Sequence, residues 1–156
     1  MEVSHAPPGY DCPFCRLLSG VETDRNRLDD IVYRDTETTA FIAPRWWPTN
    51  HGHALVIPNL HVENLYAIDD GLLGAVHATV KRVAIGLKVA YDCGGISTRQ
   101  HNEPAGNQDV WHLHVHVFPR YTGDRLYQRH EEVRWTTHAE RAPYAAKLRA
   151  ALGTQT

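Results

Sequence analysis

Three histidines alternate with apolar residues in the last third of the chain, where residues 112–118 read His-Leu-His-Val-His-Val-Phe. Successive side chains of a β-strand point to opposite faces, so His112, His114 and His116 would share one face at spacings of roughly 6–7 Å. The apolar residues between them would point into a core. Imidazole serves as a nucleophile, a proton carrier and a metal ligand near neutral pH. The spacing therefore predicts a chemical site.

Attack on phosphorus is the chemistry that suits such a row. One imidazole can be the nucleophile while its neighbours orient it and the substrate, and water can release the phosphorylated imidazole in a second step. Donors for the phosphoryl oxygens and a proton donor for the leaving group are also needed. The polar residues 102–108, Asn-Glu-Pro-Ala-Gly-Asn-Gln, offer amides beside the row. The same residues are equally typical of a hairpin connection.

A second chemical pattern lies near the start of the chain, where Cys12 and Cys15 are two residues apart. Two cysteines at this spacing are the usual half of a zinc site. A dithiol redox motif should follow a strand, and the preceding Ala-Pro-Pro-Gly-Tyr-Asp predicts none. A pair of reduced thiols is the simplest alternative. The odd total of three cysteines argues against a disulfide framework, and with no secretory signal pattern at residues 1–8 it predicts a reduced, cytoplasmic protein.

The remaining sequence predicts the elements that position these residues. The expected fold is α+β: an antiparallel five-stranded sheet with one long helix and a C-terminal helix, and with the helices on one face. The three histidines would then lie in an open groove on the other face. A capping box at Thr137–Glu140 opens the C-terminal helix. The expected strands are 31–35, 38–43, 53–58, 96–100 and 110–118, and the expected helices are 12–18, 69–92 and 137–152.

Length and charge limit the classes of protein. The 156 residues suit a single domain, 1–156, with a core at about 11–121 and an extension over 122–156. A net charge of −2 gives no electrostatic reason to expect nucleic acid or an anionic membrane as partner. No apolar run approaches the length that spans a bilayer.

Three stretches of the chain resemble one known family. Residues 105–120, Ala-Gly-Asn-Gln-Asp-Val-Trp-His-Leu-His-Val-His-Val-Phe-Pro-Arg, resemble the signature of the histidine triad (HIT) family. Residues 52–61, Gly-His-Ala-Leu-Val-Ile-Pro-Asn-Leu-His, resemble a second conserved strand of that family. Residues 11–15 resemble the N-terminal Cys-x-x-Cys of many bacterial members. The match runs from about residue 11 to 121, and it implies a HIT-like sheet.

The resemblance also implies an activity. Members cleave nucleotides at the α-phosphate as hydrolases or transferases, through a covalent nucleotidyl-histidine. A dinucleoside polyphosphate or a nucleoside phosphoramidate, with adenine as the base, would be the substrate. His114 matches the nucleophile, His116 matches a residue that contacts the phosphate and the leaving group, and His53 matches a residue that supports the nucleophile. Gln108 and Asn102 fall near positions that contact the phosphates.

A structural zinc ion and a homodimer are further implications of the resemblance. In members with the cysteine pair, the metal also takes the positions matching His61 and His112, so that Cys12, Cys15, His61 and His112 form a closed site. A closed tetrahedral site leaves no open position for activating water. Two reduced thiols beside a solvated His61 are the simpler interpretation. Members typically pair as dimers whose two sheets join into one.

The sequence departs from the family pattern at several positions. Asn107 is inserted before Gln108, and no acidic or amide residue for ribose is evident near Ala43 and Arg45. The ending Pro119-Arg120 resembles the branch that cleaves dinucleoside polyphosphates more than the phosphoramidase branch.

Two alternatives to a hydrolase stay open: a zinc-stabilised nucleotide-binding or interaction module with little turnover, and a phosphorylase that uses phosphate as the acceptor. Trp46 and Trp47 could stack a base, although such a pair is more often wedged under its own loop or at a subunit contact.

Overall fold

A five-stranded antiparallel sheet with the order β1-β2-β4-β6-β5 forms the centre of this computed structural model, which describes residues 1–153. A two-stranded ribbon of β3 and β7 lies beside it. The predicted α+β class is confirmed, and residues 154–156 of the predicted domain lie outside the described part. The strands are β1 (Ile31–Arg34), β2 (Thr38–Ile42), β3 (Arg45–Trp46), β4 (Ala54–Pro58), β5 (Gly95–Gln100), β6 (Val115–Arg120) and β7 (Arg134–Trp135), and the helices are α1 (Pro13–Leu18), α2 (Asp70–Tyr91) and α3 (His138–Gly153).

Alternation along the strands builds two apolar layers, one on each face of the sheet. On β2, Ala40 and Ile42 pack under α2 and α3, whereas Phe41 packs with the N-terminal residues on the opposite face. On β6, Val115 and Val117 lie in the layer under α2. The face that carries the histidines is therefore the one that α2 does not cover.

The long helix α2 begins and ends close to its predicted bounds. The Asp69 carboxylate caps its first turn by accepting a hydrogen bond from the backbone N–H of Leu72 at 3.0 Å. The helix ends at Asp92, which takes the left-handed conformation with φ of 49°. No helix within residues 1–153 has the length and apolar character to cross a bilayer.

The histidine strand is shorter than predicted, because β6 begins at Val115 rather than at residue 110. Val115 forms the first pairs of the strand, with Val56 of β4 and with Gln100 of β5, and residues 110–114 lie before these pairs. In that segment the backbone N–H of Leu113 donates to the carbonyl oxygen of Val62 at 2.7 Å, and the backbone N–H of Trp111 donates to the hydroxyl of Tyr10 at 3.2 Å. Leu113 is nevertheless buried in the same layer as Val115. The side chains of residues 112–116 therefore alternate between the two faces, although the backbone pairing of β6 begins only at Val115.

The expectation of helices on one face only is wrong, and the groove on the other face is partly covered. The helix α1 lies on the histidine face, where Cys12, Phe14 and Leu17 pack against the sheet. The Phe14 ring meets the rings of His112 and His114 edge-on at 5.7 and 5.3 Å between centroids. As a result, His112 is 0% exposed and His114 only 3% exposed. The N-terminal residues form a cover over the row that hydrophobic periodicity did not reveal.

A buried ion pair attaches α3 to the chain before β1. The side chains of Arg141 and Asp30 are both 0% exposed, and the Nε of Arg141 donates to the Oδ1 of Asp30 at 3.0 Å. The same guanidinium donates to the carbonyl oxygens of Thr136 and Asp24 at 2.8 and 3.1 Å. Every arm of the guanidinium is thus satisfied inside the protein.

Replacing Arg141 by alanine is expected to lower the free energy of unfolding by roughly 3–5 kcal/mol, because the carboxylate of Asp30 would stay buried without its partner. Urea unfolding measures the effect. Arg134→Ala is a matched control, since it removes an exposed ion pair to Glu140 and should change stability little. Equal unfolding midpoints for the two variants would contradict the structural role of the buried pair.

Candidate active site and metal cluster

Two cysteines and two histidines converge where α1 meets the end of β4. The Sγ atoms of Cys12 and Cys15, the Nδ1 of His112 and one ring nitrogen of His61 all lie within 4.8 Å of one another. The Sγ of Cys15 is 3.2 Å from the Nδ1 of His61, and the Nδ1 atoms of the two histidines are 3.2 Å apart. The structure thus brings together all four residues of the predicted metal set.

The donor atoms of this cluster fit a tetrahedral zinc ion. Zinc–sulfur bonds of about 2.3 Å and zinc–nitrogen bonds of about 2.0–2.1 Å place tetrahedral ligands roughly 3.3–3.8 Å apart, and the Nδ1 of His112 lies 3.4 and 3.6 Å from the two sulfurs. The Nε2 of His112 donates to the carbonyl oxygen of Pro58 at 2.8 Å, which leaves the Nδ1 lone pair facing the sulfurs. Burial lowers the pKa of His112 to about 4, so the ring is neutral, as a ligand must be.

His114 is oriented by the backbone of the same segment. Its Nδ1 lies 2.8 Å from the carbonyl oxygen of His112. A carbonyl oxygen only accepts, so Nδ1 carries the proton and Nε2 is the ring nitrogen left with a lone pair at neutral charge. That Nε2 lies 3.5 Å from the Oδ1 of Asp109, at the wall of a cleft.

His116 and His53 form the next pair along the row. The Nδ1 of His116 lies 3.5 Å from the Nε2 of His53, and their rings stack with centroids 5.6 Å apart. Burial, followed by the charge of Arg99, lowers the pKa of His53 to about 3. Burial and the neighbouring His114 likewise hold the pKa of His116 well below its usual value. Both rings are therefore neutral near pH 7.

A cleft of about 870 Å³ is lined by His114, His116 and His53. Its volume falls within the range of small-molecule sites. The two-stranded ribbon and the turns before it close one side, because Leu126, Tyr127 and other residues of the C-terminal extension are among its lining. The extension after residue 122 is thus part of the site and not an appendage.

Of the two polar residues expected near the phosphates, Gln108 lies at the cleft and Asn102 does not. Gln108 lines the cleft, but its amide is engaged with the carbonyl oxygens of Glu63 and Val110 at 2.6 and 3.0 Å. Asn102 is not among the lining residues, and its Oδ1 accepts from the backbone N–H of Leu65 at 2.7 Å. The geometry therefore does not bring Asn102 to the histidine row.

The sequence did not single out several charged or titratable residues of the cleft, among them His101, Asp109 and Arg99. His101 contacts the His116 ring at 5.9 Å, and Asp109 lies 3.9 Å from Arg45 besides its contact to His114. Burial would raise the pKa of Asp109, but the hydrogen bond and charge of His114 outweigh it and the pKa is lowered. Arg99 pairs with His116 across the sheet. Their nearness to the triad in the sequence was the available signal for His101 and Asp109.

The two tryptophans have different surroundings. Trp46 is wedged under its own loop, as the more common interpretation expected, with its Nε1 donating to the carbonyl oxygen of Ala43 at 2.8 Å. Trp47 is also buried, but it lines the cleft and packs on the rings of His53 and Phe118. Only the second tryptophan is therefore part of the site.

A five-stranded antiparallel sheet with alternating histidines along one strand, beside a cleft, defines a domain of the histidine triad type. The model of the HIT domain matches residues 25–123 of the chain. Protein hit of Bacillus subtilis is 30% identical over 131 residues, which cover 83% of this chain and 82% of that protein. The chain belongs to the HIT family.

Two further comparisons bear on the cluster and the cleft. A zinc-bound histidine triad family protein from Mycobacterium smegmatis has a crystal structure that matches with a TM-score of 0.74 and 26% identity, covering 92% of this chain and 94% of that one. Adenylylsulfatase HINT3 of Arabidopsis thaliana is 28% identical over 119 residues, which cover 75% of this chain and 56% of that protein.

Proposed function

We propose that the protein is a nucleotide hydrolase that cleaves at the α-phosphate through a covalent nucleotidyl-histidine on His114. The observation that carries the proposal is the hydrogen bond from the Nδ1 of His114 to the carbonyl oxygen of His112, which fixes one proton on Nδ1 and makes Nε2, at the cleft wall, the nitrogen that carries the lone pair in the neutral ring. An imidazole that is held through its Nδ1–H, with Nε2 directed at the substrate, is an oriented nucleophile. Membership of the HIT family and the name of the Arabidopsis relative support a phosphorus centre.

The neighbouring histidines would serve the leaving group. In one arrangement of protons, the Nε2–H of His53 donates to the Nδ1 of His116. The proton of the neutral His116 ring then lies on the Nε2 of His116. The Nδ1 of His53 is buried without a partner, and an orphaned acceptor is cheaper than an orphaned N–H. This arrangement of protons is therefore favoured, and it makes His116 a donor for the phosphate or the departing oxygen.

The cysteine–histidine cluster would hold a structural zinc ion. Cys12, Cys15, His61 and His112 would fill all four positions, and no open position for a catalytic water would remain. When bound, the metal would supply rigidity to the segment before His114. The donor set, its spacing and the zinc-bound Mycobacterium smegmatis relative support this assignment.

Product release and covalent trapping test the proposed activity together. Wild-type protein is incubated with adenosine 5′-phosphosulfate, a diadenosine polyphosphate and adenosine 5′-phosphoramidate, and AMP release is followed by chromatography. Quenching under alkaline denaturing conditions, which preserve a nucleotidyl-histidine, should show by mass spectrometry one adenylyl group per chain. Adding inorganic phosphate distinguishes a phosphorylase, which would yield ADP in place of AMP. Nucleotide binding without release of any product would favour the binding-module alternative.

We also propose a homodimer, as the family resemblance implies. Within residues 1–153, β5 pairs only with β6, so it is an edge of the sheet. An edge strand presents unpaired backbone groups to a second copy. Light scattering during size-exclusion chromatography should give twice the mass of the chain, and a monomer at all concentrations would contradict the dimer.

A further inference from the structure

One end of the cleft presents a half-buried cation that no carboxylate neutralises. Arg99 takes part in none of the ion pairs formed among residues 1–153, whereas nearby Arg120 is paired with Asp124 at 2.8 Å. The Nε of Arg99 is buried and has no hydrogen-bond partner within the described chain. Withdrawing a charge from water without a partner is costly. A ligand that supplies acceptors would remove this cost.

Aromatic rings hold the Arg99 side chain in place. Its guanidinium carbon lies 5.0 Å from the Trp47 ring, 4.6 Å from the Phe118 ring and 5.6 Å from the Tyr127 ring; these three residues are called the aromatic cage. Rings interact with the face of a guanidinium, whereas its N–H donors lie around the edge of the plane. The aromatic cage can therefore stabilise the positive charge of Arg99 without accepting hydrogen bonds from its N–H groups. The buried Nε of Arg99 still lacks an acceptor.

The sheet register places this cation beside the reaction centre. Arg99 on β5 is directly opposite His116 on β6, and directly opposite residues of an antiparallel pair point to the same face. Along the segment 112–118, which ends in β6, the order from the metal cluster is His112, His114, His116 and then Phe118 of the aromatic cage. Arg99 is thus level with His116, and its guanidinium reaches the Phe118 ring on the side away from the metal cluster. The apolar residues Phe14, Leu55 and Val110 line another part of the cleft, where Leu55 of β4 is opposite His116 on the side of β6 away from Arg99; this part is called the apolar end.

We propose that Arg99 and the aromatic cage form the subsite for an anionic leaving group, so that the substrate is a nucleotide joined by an anhydride to sulfate or to a further phosphate rather than by an amide bond to an amine. This inference rests on the proposed function. The apolar end takes the nucleoside, the α-phosphorus lies at His114, and Arg99 donates to the oxygens of the departing group. Arginine suits such oxyanions because its donors form a planar fork.

The reaction balances without any further reagent. The Nε2 lone pair of His114 forms a bond to the α-phosphorus while the bond from phosphorus to the bridging oxygen breaks. The bridging oxygen departs with the electron pair as part of sulfate or of a phosphate, and Arg99 neutralises its charge. Water then attacks the phosphorus of the nucleotidyl-histidine and its oxygen becomes a phosphate oxygen of AMP. The nitrogen–phosphorus bond breaks with its electron pair returning to the Nε2 of His114, and the protons of the water go to AMP or to solvent.

The experiment compares leaving groups of different charge in matched variants. The kcat/KM for AMP release is measured for adenosine 5′-phosphosulfate, a diadenosine polyphosphate and adenosine 5′-phosphoramidate. Wild type should prefer the anhydrides. Arg99→Gln should lower kcat/KM for the anhydrides by roughly 10- to 100-fold, the effect of losing charge-assisted hydrogen bonds, while the phosphoramidate changes little. Arg99→Lys should recover part of the loss. Arg34→Gln, an exposed arginine outside the cleft lining, controls for the change in net charge.

Each outcome decides the proposal. A loss confined to the phosphosulfate or to the polyphosphate identifies which anion the subsite takes. An equal loss on all three substrates, or a wild-type preference for the phosphoramidate, would overturn the assignment and make Arg99 a merely structural residue. If the wild type cleaves none of them, the proposed function fails but the subsite does not. Calorimetric titration with inorganic sulfate and pyrophosphate then decides, because the anions should bind wild type and Arg34→Gln more tightly than Arg99→Gln.

Discussion

Alanine in place of His114 is expected to reduce AMP release by at least roughly a thousandfold, since removal of a nucleophile disables the whole catalytic unit. The change deletes a ring whose tautomer is fixed by the His112 carbonyl oxygen and whose Nε2 lies at the cleft wall, 3.5 Å from the Oδ1 of Asp109. Nucleotide affinity should stay within a few-fold of wild type, because the apolar end and Arg99 remain. Rate measurements and equilibrium binding on the same preparations separate the two effects.

The matched control for this experiment is His77→Ala. His77 is an exposed histidine on α2, on the other side of the sheet from the cleft, and its loss should leave turnover unchanged. The covalent adenylyl adduct should also vanish in His114→Ala and persist in the control. Turnover by His114→Ala within tenfold of wild type would show that water attacks the α-phosphorus directly or that another residue is the nucleophile.

Periodicity predicted the parts of the site that lie on one continuous segment. The alternation of His112, His114 and His116 with buried apolar residues follows from the pleat of a strand, and it survives although β6 begins only at Val115. The bounds of α2 followed equally from helical spacing and from the Asp69 cap. Local geometry fixes these features, so a single segment contains the information.

Features that depend on contacts across the fold could not be predicted in the same way. Arg99 lies in a short polar strand whose residues match no motif of the site. It becomes part of the site only because β5 pairs with β6 in the register that puts Arg99 opposite His116. Tyr127 reaches the cleft because the extension folds back over it. Likewise Asp30 and Arg141 are 111 positions apart, and only tertiary packing buries them together.

Loop conformation explains why Asn102 and Gln108 were the weakest part of the sequence interpretation. Glu103 and Asn107 both have positive φ, 64° and 68°, and such turns redirect the side chains around them. The side-chain amide of Gln108 consequently donates to the carbonyl oxygen of Glu63, and the Oδ1 of Asn102 accepts from the backbone N–H of Leu65. Spacing along the chain cannot reveal which way a side chain points from a loop of this kind.

The metal cluster leads to the largest expected effect on stability, with Cys12→Ser as the decisive change. Elemental analysis of wild type should give one zinc ion per chain, and the variant should have lost it. Burial and the neighbouring Cys12 sulfur raise the pKa of the Cys15 thiol, so without metal the cluster holds protonated, poorly matched groups. Loss of a metal belongs to the mutations that cost more than roughly 4 kcal/mol, and the melting temperature should fall by roughly 10 °C or more.

Cys93→Ser is the matched control, because Cys93 is a buried free thiol outside the cluster. It should retain zinc and melt near wild type. Stripping zinc from wild type with a chelator should reproduce the melting temperature of Cys12→Ser and leave that variant unaffected. Because four protein ligands leave no position for water, the stripped protein should retain turnover wherever it remains folded. Loss of turnover in folded, zinc-free protein would instead make the metal part of the reaction. Equal zinc content and equal melting temperatures of Cys12→Ser and Cys93→Ser would contradict a zinc site at Cys12.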